Sequence, residues 1–152
     1  MKVFLGIIIL CLSTLFSYVL AGKFSFRKEF YNDFYNFNNM LKQEISFRQT
    51  TLVSLIKENN LTDFYCVLRK YIESNEFEFD KTYLKKDEVE YFYNYLKILG
   101  TGDKNSQIEF LDKTNINILE KQKQSADDEK KYKVLYVKLG FLIGLILFVL
   151  VL

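Results

Sequence analysis

Leu139-Gly140-Phe141-Leu142-Ile143-Gly144-Leu145-Ile146-Leu147-Phe148-Val149-Leu150-Val151-Leu152 carries no polar side chain and closes the sequence. As a helix this stretch alone measures about 21 Å, and drawn back to Val134 it approaches the ~30 Å of a bilayer's hydrocarbon core. Only Lys138 interrupts the longer run, and a lysine near the end of a span can carry its ammonium to the headgroups along an apolar stem. Tyr132 and Tyr136 fall at the same level, where amphipathic rings favour the interface. Gly140 and Gly144, four residues apart, share one helix face and would let another helix approach closely. The C-terminus is therefore expected in or across a bilayer.

A second apolar run, Val3 to Ala21, stands at the other end, broken only by Ser13, Thr14 and Ser17. At about 1.5 Å per residue it too approaches a span. Two readings stand for it. It is a retained N-terminal anchor, or it is a secretory signal with Lys2 as its basic start and cleavage after Ala21, which would leave an exported protein held by its C-terminal helix. Lys23, Arg27 and Lys28 directly after the run oppose translocation and favour the anchor. Lys123, Lys130, Lys131, Lys133 and Lys138 flank the second run in the same way, whereas the outer ends offer only Lys2. The bias predicts a cytoplasmic middle held at both ends, with anchors at 1–22 and 134–152 and a domain at 23–133.

The middle has room for one domain. It contains no proline, and its glycines are Gly100 and Gly102, with Gly22 at its edge, punctuation that favours helices. Phe30, Phe34, Phe37, Leu41 and Ile45 recur at steps of three and four, the stripe of one helix face. Thr50 and Thr51 open a shorter element through Leu52, Leu55 and Ile56, and Thr62 is expected to cap another carrying Phe64, Cys66, Val67, Leu68 and Ile72. Glu73 to Lys81 reads as a loop or, through the alternation around Phe77 and Phe79, as a short extended segment. Asp87 with Glu90 fits a capping box before Val89, Phe92, Leu96 and Leu99, and Gly100 closes that helix. Asp103 then suits the N-cap of a helix with Ile108, Leu111 and Ile118 on its apolar face. From Glu120 to Lys133 nearly every residue is polar, giving a solvated stalk or a loosely ordered stretch. The fold class is all-α: a helical bundle between an N-terminal and a C-terminal transmembrane helix.

Composition narrows the chemistry. The 152 residues include no His, which removes the usual general base at neutral pH and the commonest metal ligand. The 21 basic residues are nearly balanced by 19 acidic ones, so no whole-molecule field favours nucleic acid. Cys11, inside the first run, and Cys66, expected as a buried small hydrophobe, do not suit a bridge. No phosphate loop, catalytic carboxylate pair or metal-ligand spacing occurs in the sequence, so neither catalysis nor a cofactor is expected. An enzyme built on Glu44 would need a second clustered group. Tyr91, Tyr93 and Tyr95 with Phe92 have the composition of an interface patch, but helical geometry scatters them, so part must be core.

Several landmarks resemble the stage III sporulation protein AB family. They are Glu44-Ile45-Ser46-Phe47 followed by Thr50-Thr51-Leu52, Leu84-Lys85-Lys86, Leu99-Gly100-Thr101-Gly102-Asp103 with Ser106-Gln107, and the ending Lys138-Leu139-Gly140-Phe141-Leu142-Ile143-Gly144. Their order and the two terminal runs carry the likeness, while Thr51 stands where the family tends to have proline. The resemblance implies a noncatalytic component of the channel, or feeding tube, joining mother cell and engulfed forespore, placed in the mother-cell membrane around the forespore. It implies as partners other stage III sporulation channel proteins, including a secretion-type ATPase, together with the lipid bilayer. It also implies a bundle similar to the cytoplasmic domains of type II secretion and type IV pilus platform proteins. Glu44, Asp103 and Gln107, polar residues inside the matching motifs, are candidate partner contacts. Each also has a local role open to it: a salt bridge for Glu44, a cap for Asp103, and support of the first turn for Gln107.

Overall fold

Stripes of apolar residues at helical spacing, with no proline to interrupt them, give long helices. A computed structural model describes residues 2–47, 62–74 and 84–151. Its described residues form four helices: α1 (Lys2–Phe47), α2 (Asp63–Ser74), α3 (Lys86–Ile98) and α4 (Lys104–Val151). The all-helical expectation holds. The element expected from Thr50 to Ile56 and residues 75–81 of the Glu73–Lys81 segment lie outside the described residues, whereas Glu73 and Ser74 are the last turn of α2 rather than loop or strand. The polar stretch Glu120 to Lys133 is continuous helix within α4.

Contacts divide the chain into two units, one of residues 1–26 and 124–152, the other of residues 27–123. The first unit is an antiparallel pair made from the start of α1 and the end of α4. Rising numbers on α1 meet falling ones on α4: Gly6 faces Phe148, Leu10 faces Gly144, Ser17 faces Gly140, and Lys23 meets Tyr136. Both helices are long and apolar enough to cross a membrane, with mean hydropathies of 2.5 and 2.7 over their best windows. Only 6% and 11% of those windows is buried within the protein, so these are not the core helices of a water-soluble fold.

The second unit packs α2 and α3 with the remainder of α1 and α4 around aromatic rings. Phe34, Phe37, Phe64 and Phe92 are fully buried, with Leu68, Leu111 and Ile118 beside them. Phe34 alone lies 4.8 to 6.2 Å, centroid to centroid, from Tyr95, Phe92, Phe64 and Phe30. The Phe30–Phe34–Phe37–Leu41 stripe forms the core side of α1, and Ile45 packs against it partly buried. Phe92 and Tyr95 enter the core, while Tyr91 and Tyr93 remain half-buried at its edge.

Three expectations are corrected. Cys66 is exposed rather than buried, because α2 turns Phe64, Val67 and Leu68 inward and leaves position 66 on its outer side. Thr62 does precede α2, and its carbonyl accepts the N–H of Cys66 at 3.1 Å, but its hydroxyl is buried without a hydrogen-bond partner and caps nothing. The cap of α3 is set not by Asp87 with Glu90 but two residues earlier: α3 begins after Lys85, whose N–H donates to the Glu88 carboxylate at 3.0 Å.

Candidate functional site

Small residues recur on α1 at Gly6, Ser13, Ser17 and Ala21, at the spacing of one helix face. They meet the face of α4 that carries Gly140 and Gly144. A side chain at Gly140 would collide with Ser17 and come within 3.1 Å of the Ser13 carbonyl, and one at Gly144 would lie 3.2 Å from the Leu10 Cα. The absence of Cβ atoms on α4 is what brings the two backbones together. The Ser13 hydroxyl donates to the Gly140 carbonyl at 2.8 Å, so the helices are also joined by a hydrogen bond at this glycine. Gly140 and Gly144 therefore pack against the chain's own first helix. The serines of the α1 half read in sequence as interruptions of an apolar run; their spacing with Gly6 and Ala21 is the signal of the seam.

Around residues 23–25 of α1 and 129–136 of α4, rings and lysines interleave. Phe24 stacks on Tyr132 at 5.1 Å and meets Tyr136 edge-on at 5.7 Å. Ser25 donates to Glu129 at 2.7 Å and accepts from Lys133 at 3.2 Å.

In the second unit the matching motif around Gly100 forms a turn. Gly100 and Gly102 have φ of 82° and 89°, a region that residues with a Cβ rarely adopt, which accounts for glycine at both positions. Asp103 caps α4: its carboxylate accepts the Asn105 N–H at 3.3 Å and the Ser106 hydroxyl. The Ser106 hydroxyl leads in holding that carboxyl below its ordinary range, with backbone donors adding to it. Gln107 is buried, and its amide accepts from the Gly100 N–H while donating to the carbonyls of Ile98 and Thr101. Lys104 donates to the Ser46 carbonyl at 2.8 Å, which places the end of α1, two residues beyond half-buried Glu44, beside the turn. Glu44, Asp103 and Gln107 thus lie at one end of the second unit, with Gln107 behind the turn rather than on its surface.

A buried ion pair lies outside the expected sites. Arg27 and Glu88 are both buried, and the guanidinium grips the carboxylate through Nε at 3.1 and 3.2 Å and Nη2 at 2.6 Å. Burial opposes ionisation of Glu88. Hydrogen bonds from Arg27, the Lys85 N–H and the Tyr31 hydroxyl, with the arginine's charge, outweigh it and hold the carboxyl below its usual range. Burial, followed by the charge and hydrogen bond of Glu88, pushes the Tyr31 hydroxyl far up, so it stays a neutral donor. The group clamps α3 to α1. Arg27 stands three residues before Phe30 and so shares the face of the apolar stripe, a signal readable in the sequence beside its place in the charge bias. A second buried polar group joins α1, α3 and α4: Asn38 donates to the Leu111 carbonyl at 2.9 Å and to Asn115 at 3.0 Å, and accepts from the Tyr95 hydroxyl at 3.1 Å. Among the described residues no cluster of three or more Cys, Asp or Glu could hold a metal ion.

A family model described as Stage III sporulation protein AB matches residues 53–152. No curated protein and no solved structure matches the chain.

Proposed function

The chain belongs to the stage III sporulation protein AB family, and on that premise we propose that it is a noncatalytic component of the membrane assembly joining mother cell and forespore. In this reading the helix pair anchors the protein in the mother-cell membrane around the forespore. The bundle stands in the cytoplasm, where it meets other stage III channel proteins and couples a secretion-type ATPase to them. The observation that carries the reading is the seam between two apolar helices that flank the bundle in sequence. It favours retention of the N-terminal anchor over the exported alternative, because cleavage after Ala21 would remove Gly6, Ser13, Ser17 and Ala21 and leave Gly140 and Gly144 without the surface they pack on. Partner contact is proposed at the Leu99–Asp103 turn and neighbouring Glu44, with Gln107 fixing the shape of the turn from behind.

The test is crosslinking of the full-length protein in sporulating cells, followed by identification of what is joined to it. Channel components and the ATPase are expected, and a Gln107→Ala change is expected to weaken their recovery through the turn. Recovery of none of them would refute the assembly role. Sidedness has its own measurement in a Cys11→Ser background. Exposed Cys66 should react with an impermeant thiol reagent only once cells are opened; labelling on intact cells places the bundle outside.

A further inference from the structure

The two flanks of the helix pair hold their lysines differently. On one flank the Lys133 Nζ lies 3.6 Å from the Glu129 carboxylate, donates to Ser25 and sits over the ring of Tyr18, so its charge is answered within the chain. On the other, the Lys23 Nζ lies 5.1 Å from the ring centroids of both Phe24 and Tyr136 and donates to the Tyr136 hydroxyl at 3.3 Å. Among the described residues no carboxylate pairs with Lys23.

On α1, ending one turn before Lys23 in sequence, lies an open apolar groove of about 600 Å³, lined by Ile9, Leu12, Phe16 and Val19 of α1 and Leu147 of α4. Ile9, Leu12, Phe16, Val19 and Lys23 follow one another at steps of three and four, a single stripe with the ammonium at its end. From Ile9 to Val19 the helix rises about 15 Å, half of a ~30 Å hydrocarbon core. The groove therefore crosses one leaflet, and Lys23 stands a turn beyond it, at headgroup depth.

The geometry points to a binding site for one anionic phospholipid: an acyl chain lies along Ile9–Val19, and the headgroup phosphate meets the Lys23 ammonium and the Tyr136 hydroxyl. An anionic headgroup fits better than a zwitterionic one, because the latter brings its own cation to a site that already holds one. A lone lysine near the surface confers a preference of about fivefold. This site rests on the reading of both helices as membrane spans, and the experiment separates the two.

The purified full chain is first floated with vesicles of equal phosphatidylglycerol and phosphatidylcholine with matched chains, then extracted in mild detergent and weighed intact by mass spectrometry to count retained lipids. One phosphatidylglycerol is expected to remain, favoured over phosphatidylcholine. Lys23→Gln should lower that preference about fivefold, and Lys133→Gln should leave it unchanged. Val19→Trp, which fills the groove, should reduce retention of both lipids; Leu12→Phe replaces it should the first variant lose helicity. Failure to float overturns the membrane reading and the site together. Floating with equal retention of the two lipids overturns the site alone, as does a loss of preference in Lys133→Gln as large as in Lys23→Gln. Displacement of the lipid by water-soluble glycerol phosphate would also overturn it, since the groove would then contribute nothing.

Discussion

The helix pair and the bundle are closed by opposite chemistries. In the pair, α1 and α4 touch through Gly140, Gly144, Ser13 and Ser17, residues with little or no side chain, and a hydroxyl reaches a backbone carbonyl across the contact. In the bundle, the core is filled by phenylalanine rings from α1, α2 and α3, and two sets of buried polar groups tie α1 to α3 and to α4. The solvent explains the difference. Burying a ring removes it from water and is strongly favourable, but moving it from lipid to a helix interface gains almost nothing, so helices in lipid are held by close backbone approach and by hydrogen bonds. On the proposed placement, one helix changes its packing rule along its length as its surroundings change.

The sharpest way to break this comparison is to delete a ring. Phe34 is fully buried and touches rings from α2 and α3. Phe34→Ala should destabilise the bundle by about 3–5 kcal/mol, the usual cost of emptying an aromatic core site. The measurement is denaturant unfolding of the full chain in detergent, followed by the near-ultraviolet signal of the bundle tyrosines. A loss below about 1 kcal/mol would mean that the rings do not form a close-packed core.

Next comes the clamp. Glu88→Gln leaves the Arg27 charge buried without its counter-ion and should cost about 3 kcal/mol at neutral pH. The double change of Arg27 and Glu88 to Met should cost less, since it also removes the charge that needs an answer. The pH dependence has a definite sign. The Glu88 carboxyl titrates lower in the folded protein than in the unfolded chain, so the folded state resists taking up that proton. The stabilisation is complete above the ordinary carboxylate range and is lost as pH falls through the depressed value. Unfolding midpoints of the wild type and Glu88→Gln should converge on acidification; a gap that stays constant from pH 7 to acid would assign the cost to something other than the ion pair.

What the sequence disclosed follows the same division. Period and punctuation disclosed the ring-bearing face of α1 and the cap at Asp103, because a stripe of large residues and a lone acid after a glycine pair are local patterns. The clamp escaped because it joins positions 61 residues apart, and nothing local distinguishes an arginine turned into a core from one facing water. Cys66 was misplaced because a short run such as Phe64 to Leu68 reads as apolar throughout, although a helix buries only part of it. Half of the seam was legible from Gly140 and Gly144; the other half was hidden in Ser13 and Ser17, whose hydroxyls look like flaws in a span until a partner helix is set against them.

The smallest effects, and the ones that test the seam, come from adding a single methyl at each glycine of the pair. At Gly140 the new Cβ would meet the Ser17 side chain, which is too short to swing aside, and the Ser13 backbone at 3.1 Å. Gly140→Ala should therefore push the helices apart at about 1–3 kcal/mol. At Gly144 the nearest atoms are 3.2 to 3.4 Å away, a few tenths of an ångström too close, so Gly144→Ala should cost less. At Gly6 the neighbour is the ring edge of Phe148, which can rotate. At Gly22 nothing stands within 4 Å, and Gly22→Ala should gain up to about 1 kcal/mol of helix propensity. Spin labels at Phe4→Cys and Leu150→Cys, in a background without the native cysteines, would read the separation in vesicles. The distance should widen most for Gly140→Ala, slightly for Gly144→Ala and not at all for Gly22→Ala. If all three respond alike, the pair is held by generic apolar contact, and the contrast with the bundle dissolves.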